Sequence, residues 1–168
     1  NLPIVKWYNL AERVSGKKIK KNTNEFMRLF TRAVQLRLRS DVPWGVCLSG
    51  GLDSSAITST VINVLNEPDV HSFSAVYGKD SKADESNFID CFKGIVPNMH
   101  YIYPDADTLY TNIDNYIRTQ AEPTPTTSPF AHYCVMQEAQ KYVKVTLDGQ
   151  GADEALSGYE YIPGLYYK

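Results

Sequence analysis

Two glycine-containing loops, each directly following a short apolar run and each leading into a helix-like segment, limit what this chain can fold into. Residues 47–55 read CLSGGLDSS after the apolar run WGVCL, and residues 147–154 read LDGQGADE after VKVTL. Runs of four to six apolar residues suit strands covered on both faces, as in a parallel sheet. Between the two loops, strand-like and helix-like segments alternate, the pattern of βαβ units. The spacing predicts helices over residues 22–39, 54–65, 84–95, 105–120 and 130–142. It predicts strands over 44–48, 70–77, 99–104 and 143–147. Asn22 and Glu25 have the form of a capping box, and Asp105 or Asp107 is placed to cap the fourth helix. The three prolines of EPTPTTSP, residues 122–129, predict a loop. The fold class expected is α/β, a parallel sheet with helices on both faces. Ligands of such sheets gather beyond the carboxyl ends of the strands, where both glycine loops fall.

The chemistry of CLSGGLDSS is narrowed by exclusion. No lysine follows the glycines, so it is no GxxxxGK[ST] phosphate loop, and it lacks the three spaced glycines of a dinucleotide fingerprint. Gly50 and Gly51 allow close approach by an anion. The helix that follows offers unpaired N–H groups and the positive end of its dipole. Ser49, Ser54 and Ser55 add hydroxyl groups. Asp53 would repel a phosphate unless a cation lay between them, which points to a phosphate chain bound together with Mg²⁺.

The 168 residues carry a formal net charge of -2, with 43% hydrophobic and 21% charged residues. This gives no electrostatic case for binding nucleic acid or an anionic membrane. No apolar run reaches the length of a membrane span. Cys47, Cys91 and Cys134 are odd in number and widely spaced, so they read as buried free thiols in a reducing, cytoplasmic setting. His71, His100 and His132 are far apart in sequence and suggest no metal cluster. KKIKK, residues 17–21, reads as a solvated linker. Asn1 opens on an apolar stretch with no initiator methionine, and the chain closes on YIPGLYYK; the expectation is part of a longer polypeptide.

SGGLDSS resembles the pyrophosphate loop of the N-type ATP pyrophosphatases, and LDGQGADE followed by SGY is similar to the second loop of the glutamine-hydrolysing asparagine synthetases. FSAVYG followed by DES, and the EP…SP…FAHY stretch, also resemble that family. The resemblance implies an adenine-nucleotide alpha-hydrolase-like fold. Residues 1–21 would be a linker remnant following a missing glutaminase domain, and residues 22–168 the N-terminal part of the synthetase domain.

It further implies an ATP-dependent ligase that adenylates the side-chain carboxylate of aspartate, releases pyrophosphate, and lets ammonia from a glutaminase domain displace AMP. The isolated fragment would be inactive, and the intact enzyme could be a homodimer. By the same resemblance Ser49, Gly50, Gly51, Asp53 and Ser54 hold the β and γ phosphates, and Asp53 and Asp153 share Mg²⁺. Leu48 and the Val76 region contact the adenosine, and Asp148 and Gly149 lie beside the α phosphate and ribose. Gln150 stands where many relatives have a glutamate thought to take a proton from ammonia; an amide can only orient or donate a hydrogen bond. Two further readings stay open: amidation of another carboxylic acid, and a nucleotide-binding module that has lost catalysis.

Overall fold

The computed structural model describes residues 5–15, 22–78, 81 and 84–159. KKIKK lies outside them, apart from which residues 5–15 contain one short helix, α1 (Leu10–Val14), and no buried residue. Helix α2 (Thr23–Arg37) starts as the sequence suggests. The Asn22 side chain accepts the Glu25 N–H at 3.0 Å, but the reciprocal half of the box is not formed. The Glu25 carboxylate instead takes two hydrogen bonds from Arg28, both 2.7 Å.

Four strands follow: β1 (Trp44–Cys47), β2 (His71–Ala75), β3 (Asn98–Ile102) and β4 (Val145–Leu147). They form one parallel sheet in the order β3-β2-β1-β4. The chain therefore steps from β1 outward to β3, then returns to add β4 on the other side of β1. This reversal is a topological switch point, where the loops after β1 and β4 bound a common crevice.

The sheet buries both faces. Val46 and Leu147 pack with Val34 of α2 and with Val61 and Ile62, which follow helix α3 (Leu52–Ser59) in a π-helical turn over Thr60–Val64. On the opposite face Phe73 packs with Val135, Ala139 and Val143, under helix α6 (Ser128–Ala139). Phe73 is 1% exposed, and burying a side chain of that size contributes about 1.5–3 kcal/mol. Gly45 lets it in: a Cβ there would stand 2.9 Å from the Phe73 ring and 2.8 Å from the His71 carbonyl oxygen.

Several expected boundaries shift. The helix expected over 84–95 is only one turn, α4 (Ser86–Ile89), plus a 3₁₀ turn at Asp90–Phe92, because Gly94 turns left-handed (φ 80°). Asp105 caps α5 (Ala106–Gln120), accepting the Thr108 N–H at 2.7 Å. Ser128 and Pro129, assigned to the loop, instead open α6, because proline at the first helical turn loses no hydrogen bond. After β4 comes a last short helix, α7 (Ala152–Leu156). Of the free cysteines only Cys134 is buried; Cys91 is exposed and Cys47 intermediate, which corrects the expectation of three buried thiols. Among the described residues no helix is long and apolar enough to cross a membrane.

The histidines are not isolated. His71 Nδ1 and His100 Nε2 lie 2.9 Å apart; the His71 ring stacks on Tyr142 and the His100 ring lies tilted against it. Burial, and then His71, hold the His100 pKa below its ordinary 6.5, against a weaker opposing effect of Glu138. The unfolded chain thus takes up this proton more readily than the folded one. The stabilisation is complete above pH 6.5 and is lost as pH falls toward the lower folded-state value. Urea unfolding followed from neutral to mildly acidic pH should show a falling midpoint, and His100→Phe should flatten that fall. An unaltered profile in the variant would remove the pair as its cause.

Candidate functional site

The first loop is fastened by its own serines. Leu48 N–H continues the ladder to the Phe73 carbonyl at 2.9 Å, after which the chain turns. Ser49 N–H donates to Ser54 Oγ at 3.1 Å, Gly51 N–H donates to Ser49 Oγ at 3.2 Å, and Ser54 Oγ donates to the Gly51 carbonyl at 3.1 Å. Ser54 is buried and Ser49 exposed, and their hydroxyls lie 3.0 Å apart, so both hold the loop's shape while Ser49 keeps its outer side on the cavity. Gly50 has φ +91°, and a Cβ there would meet the Glu85 carbonyl oxygen at 2.9 Å. Gly51 precedes α3 without any side chain to cap it, leaving the first-turn amides of α3 uncapped.

The second loop sits directly on this turn. A Cβ on Gly149 would lie 3.1 Å from Asp53 Cβ and 3.2 Å from the Ser54 nitrogen, so any larger residue would push the two loops apart by a few tenths of an ångström. Gly151, φ +91°, then starts α7, which carries Asp153 in its first turn. Both loops border one cavity of about 400 Å³, open to one side.

Into this cavity the fold brings Ser49, Gly51, Asp53, Ser54, Asp148, Gly149, Gln150 and Asp153 of the expected site residues. Leu48 also borders it, although it is fully buried and packs with Val76 and Ile89. Gly50 supports the turn from behind, against Glu85 and Ile89. Val76 is 3% exposed and does not border the cavity; its neighbour Tyr77 does.

The cavity also contains residues that sequence reasoning did not single out: Cys47, Tyr77, Glu85 and His132. Tyr77 and Glu85 are held there by Asp84, which accepts the Tyr77 N–H at 3.0 Å and the Ser86 hydroxyl at 2.5 Å. Those bonds, the Ser86 bond foremost, hold the Asp84 pKa below its ordinary value. The DES segment after the second strand was the available signal for Glu85. For His132 the signal was the family-like FAHY stretch that contains it; its place at the crevice comes from the docking of α6. Its place beside Cys47 and Asp148 corrects the expectation that it stands apart. Burial first, then the neighbouring Asp148, push the Cys47 thiol up to about 12, so it stays protonated at neutral pH.

Asp53, Glu85, Asp148 and Asp153 place four carboxylates on the cavity, and no lysine or arginine borders it among the described residues. An anion entering here meets α3's helix end, which contributes about 0.3–1 kcal/mol. A single carboxylate about 5 Å from a phosphate charge opposes it by roughly 3 kcal/mol at an effective dielectric of ~20. The acids therefore win unless a divalent cation intervenes. Hard carboxylate oxygens with no cationic side chain among them fit Mg²⁺. A larger hollow of about 520 Å³ beside α5 is mainly apolar and has only Glu122 as a charged group, so it suits no polyanion.

Residues 25–166 match the family model described as asparagine synthase. Over 144 residues the chain is 38% identical to a putative asparagine synthetase (glutamine-hydrolyzing) 2 of Methanocaldococcus jannaschii, covering 83% of this chain and 27% of that protein. It is 33% identical over 130 residues to asparagine synthetase (glutamine-hydrolyzing) 1 of Bacillus subtilis, covering 76% of this chain and 20% of that protein. It thus spans between a fifth and about a quarter of these relatives' length. Among solved structures, the NH3-dependent NAD synthetase from Campylobacter jejuni is similar with a TM-score of 0.55 at 17% identity, over 83% of this chain and 62% of that one. That likeness gives the fold, an adenine-nucleotide alpha-hydrolase-like sheet.

The two adjacent glycines differ in what they tolerate. Gly50→Ala should cost about 1–3 kcal/mol, since its Cβ meets backbone in a left-handed conformation. Gly51→Ala, with φ -64° and only the Ser49 hydroxyl within reach at 3.3 Å, should cost less than about 1 kcal/mol. Denaturant unfolding of both variants checks this; the reverse order would contradict the loop geometry.

Proposed function

The chain belongs to the asparagine synthase family, and from that membership we propose that its cavity binds ATP with Mg²⁺ and supports adenylation of the side-chain carboxylate of aspartate. The observation that carries this reading is the cavity with four acids and, among the described residues, no lysine or arginine, built on a helix N-terminus at the sheet's switch point. A triphosphate needs that helix end and those amides, and the acids need the cation that accompanies it. Asp53 and Asp153, one from each loop, would hold Mg²⁺. Bound there, it would neutralise phosphate oxygens and the charge that develops on the leaving pyrophosphate.

In the proposed reaction a carboxylate oxygen of the substrate forms a bond to the α-phosphorus, and the bond from that phosphorus to the oxygen bridging to the β-phosphate breaks. Pyrophosphate leaves with that electron pair. Ammonia then adds to the acyl carbon, AMP departs, and the surplus proton passes to water at the cavity's open side. Ser49, Gly50, Gly51 and Ser54 cradle the β and γ phosphates. Asp148 and Gly149 flank the α phosphate and ribose, and Leu48 and the Tyr77 side of the Val76 region border the adenosine. Gln150 is exposed and carries an amide, so its role is to orient the incoming nitrogen.

Both relatives are named glutamine-hydrolyzing and are several times longer than the stretch matched, which supports ammonia supplied by a glutaminase domain. The three free cysteines support a cytoplasmic setting.

Exchange of labelled pyrophosphate into ATP tests the first half-reaction in the full-length protein. Exchange should depend on aspartate. Exchange with a different acid in a panel would replace the substrate, and none with any acid would reject adenylation. Asp53→Asn should weaken Mg²⁺-dependent ATP binding at least about tenfold, equal to ~1.4 kcal/mol. Unchanged affinity would remove Asp53 from the metal site.

A further inference from the structure

Cys47, His132 and Asp148 meet on one wall of the cavity. Their possible ligand atoms, Sγ, a ring nitrogen and a carboxylate oxygen, all lie within 4.8 Å of one another. They arrive from three elements. Cys47 ends β1, Asp148 follows β4, and each stands one residue beyond the paired Val46 and Leu147, so the parallel register sets them side by side. His132 comes from the opposite direction, on α6.

We propose that Cys47, His132 and Asp148 form a three-ligand site for a zinc-class divalent cation, with the fourth coordination position open to the cavity. The site is separate from the Mg²⁺ assigned to Asp53 and Asp153 and does not depend on that reading. Mixed sulfur, nitrogen and oxygen donors suit zinc, whereas magnesium requires oxygen alone. In a tetrahedral zinc site with bonds of about 2.0–2.3 Å, ligand atoms stand roughly 3.3–3.8 Å apart. The observed spread of up to 4.8 Å therefore has to shrink by about 1–1.5 Å at most. His132 is exposed and free to rotate, so a change of its rotamer is enough.

The charges balance as well. A thiolate and a carboxylate neutralise a dication in a cavity that, among the described residues, offers no lysine or arginine. Among the described residues the neighbours of the Asp148 carboxylate are the Cys47 thiol, the His132 ring and the Thr146 hydroxyl, the last a long 3.4 Å. On binding, the sulfur–metal bond replaces the S–H bond and the thiol proton leaves to solvent, with no change of oxidation state. Three protein ligands and an open fourth place match zinc sites that bind a further ligand, here an oxygen of water, phosphate or carboxylate.

Cobalt(II) is the probe, titrated without nucleotide into the full chain carrying Cys91→Ser, which removes the exposed thiol. One equivalent should produce intense tetrahedral visible bands and a thiolate-to-cobalt charge-transfer band in the near ultraviolet. Zinc should abolish both, and excess magnesium should not. His132→Ala changes an exposed helix residue and should leave the circular dichroism intact while weakening cobalt affinity at least tenfold. Asp148→Asn should weaken it by less. Cobalt bound without a charge-transfer band, or with equal affinity in His132→Ala, would overturn the site. So would loss of the bands on adding magnesium. Because no nucleotide is present, failure here leaves the adenylation reading standing, and failure of pyrophosphate exchange leaves this site standing.

Discussion

Gly149 rests on the first turn of α3 so closely that a Cβ there would stand only 3.1 Å from Asp53 Cβ, and the shared cavity depends on that contact. It exists because β4 pairs with β1 rather than with β3, so that the loops after these two strands leave the sheet next to each other. Segments nearly a full domain apart in sequence then share one cavity. Without the contact, Asp53 and Asp153 would be two unrelated surface acids. With it they face a common volume beside an uncapped helix N-terminus.

Electrostatics decides what that volume can hold. The favourable effect of a helix end on an anion is smaller than the repulsion from one nearby carboxylate, and four carboxylates border the cavity. A bare polyphosphate is therefore excluded by the same residues that would coordinate its cation. The serines contribute chiefly to shape: the bonds among Ser49, Gly51 and Ser54 fix the turn before any ligand arrives, which lowers the ordering cost of binding.

Much of this was legible in the sequence because it is local. The four strands, the Asn22 and Asp105 caps, and both glycine loops were marked by residues within one turn of each other. What was not legible depends on packing. The weak helix after β2 broke at Gly94, whose left-handed conformation the periodicity could not reveal. His71 and His100 meet as diagonal neighbours because the β2–β3 register sets His71 opposite Asn98 and Phe73 opposite His100, and the sequence holds no trace of that contact. His132 reaches Cys47 and Asp148 only through the docking of α6 on the sheet. Glu85 lies in the family-like DES segment, yet its cavity position comes from Asp84 anchoring the loop. Acids at strand ends can be anticipated from topology; groups delivered by a neighbouring helix cannot.

The dependence of nucleotide binding on a divalent cation tests the central claim most directly. Calorimetric titration of ATP into metal-free protein, with and without added Mg²⁺, measures it in one comparison. Binding should be detectable only in the magnesium series and should weaken when Asp153→Asn is made. Equal affinity for ATP in the absence of any divalent cation would show that the four acids do not govern this cavity.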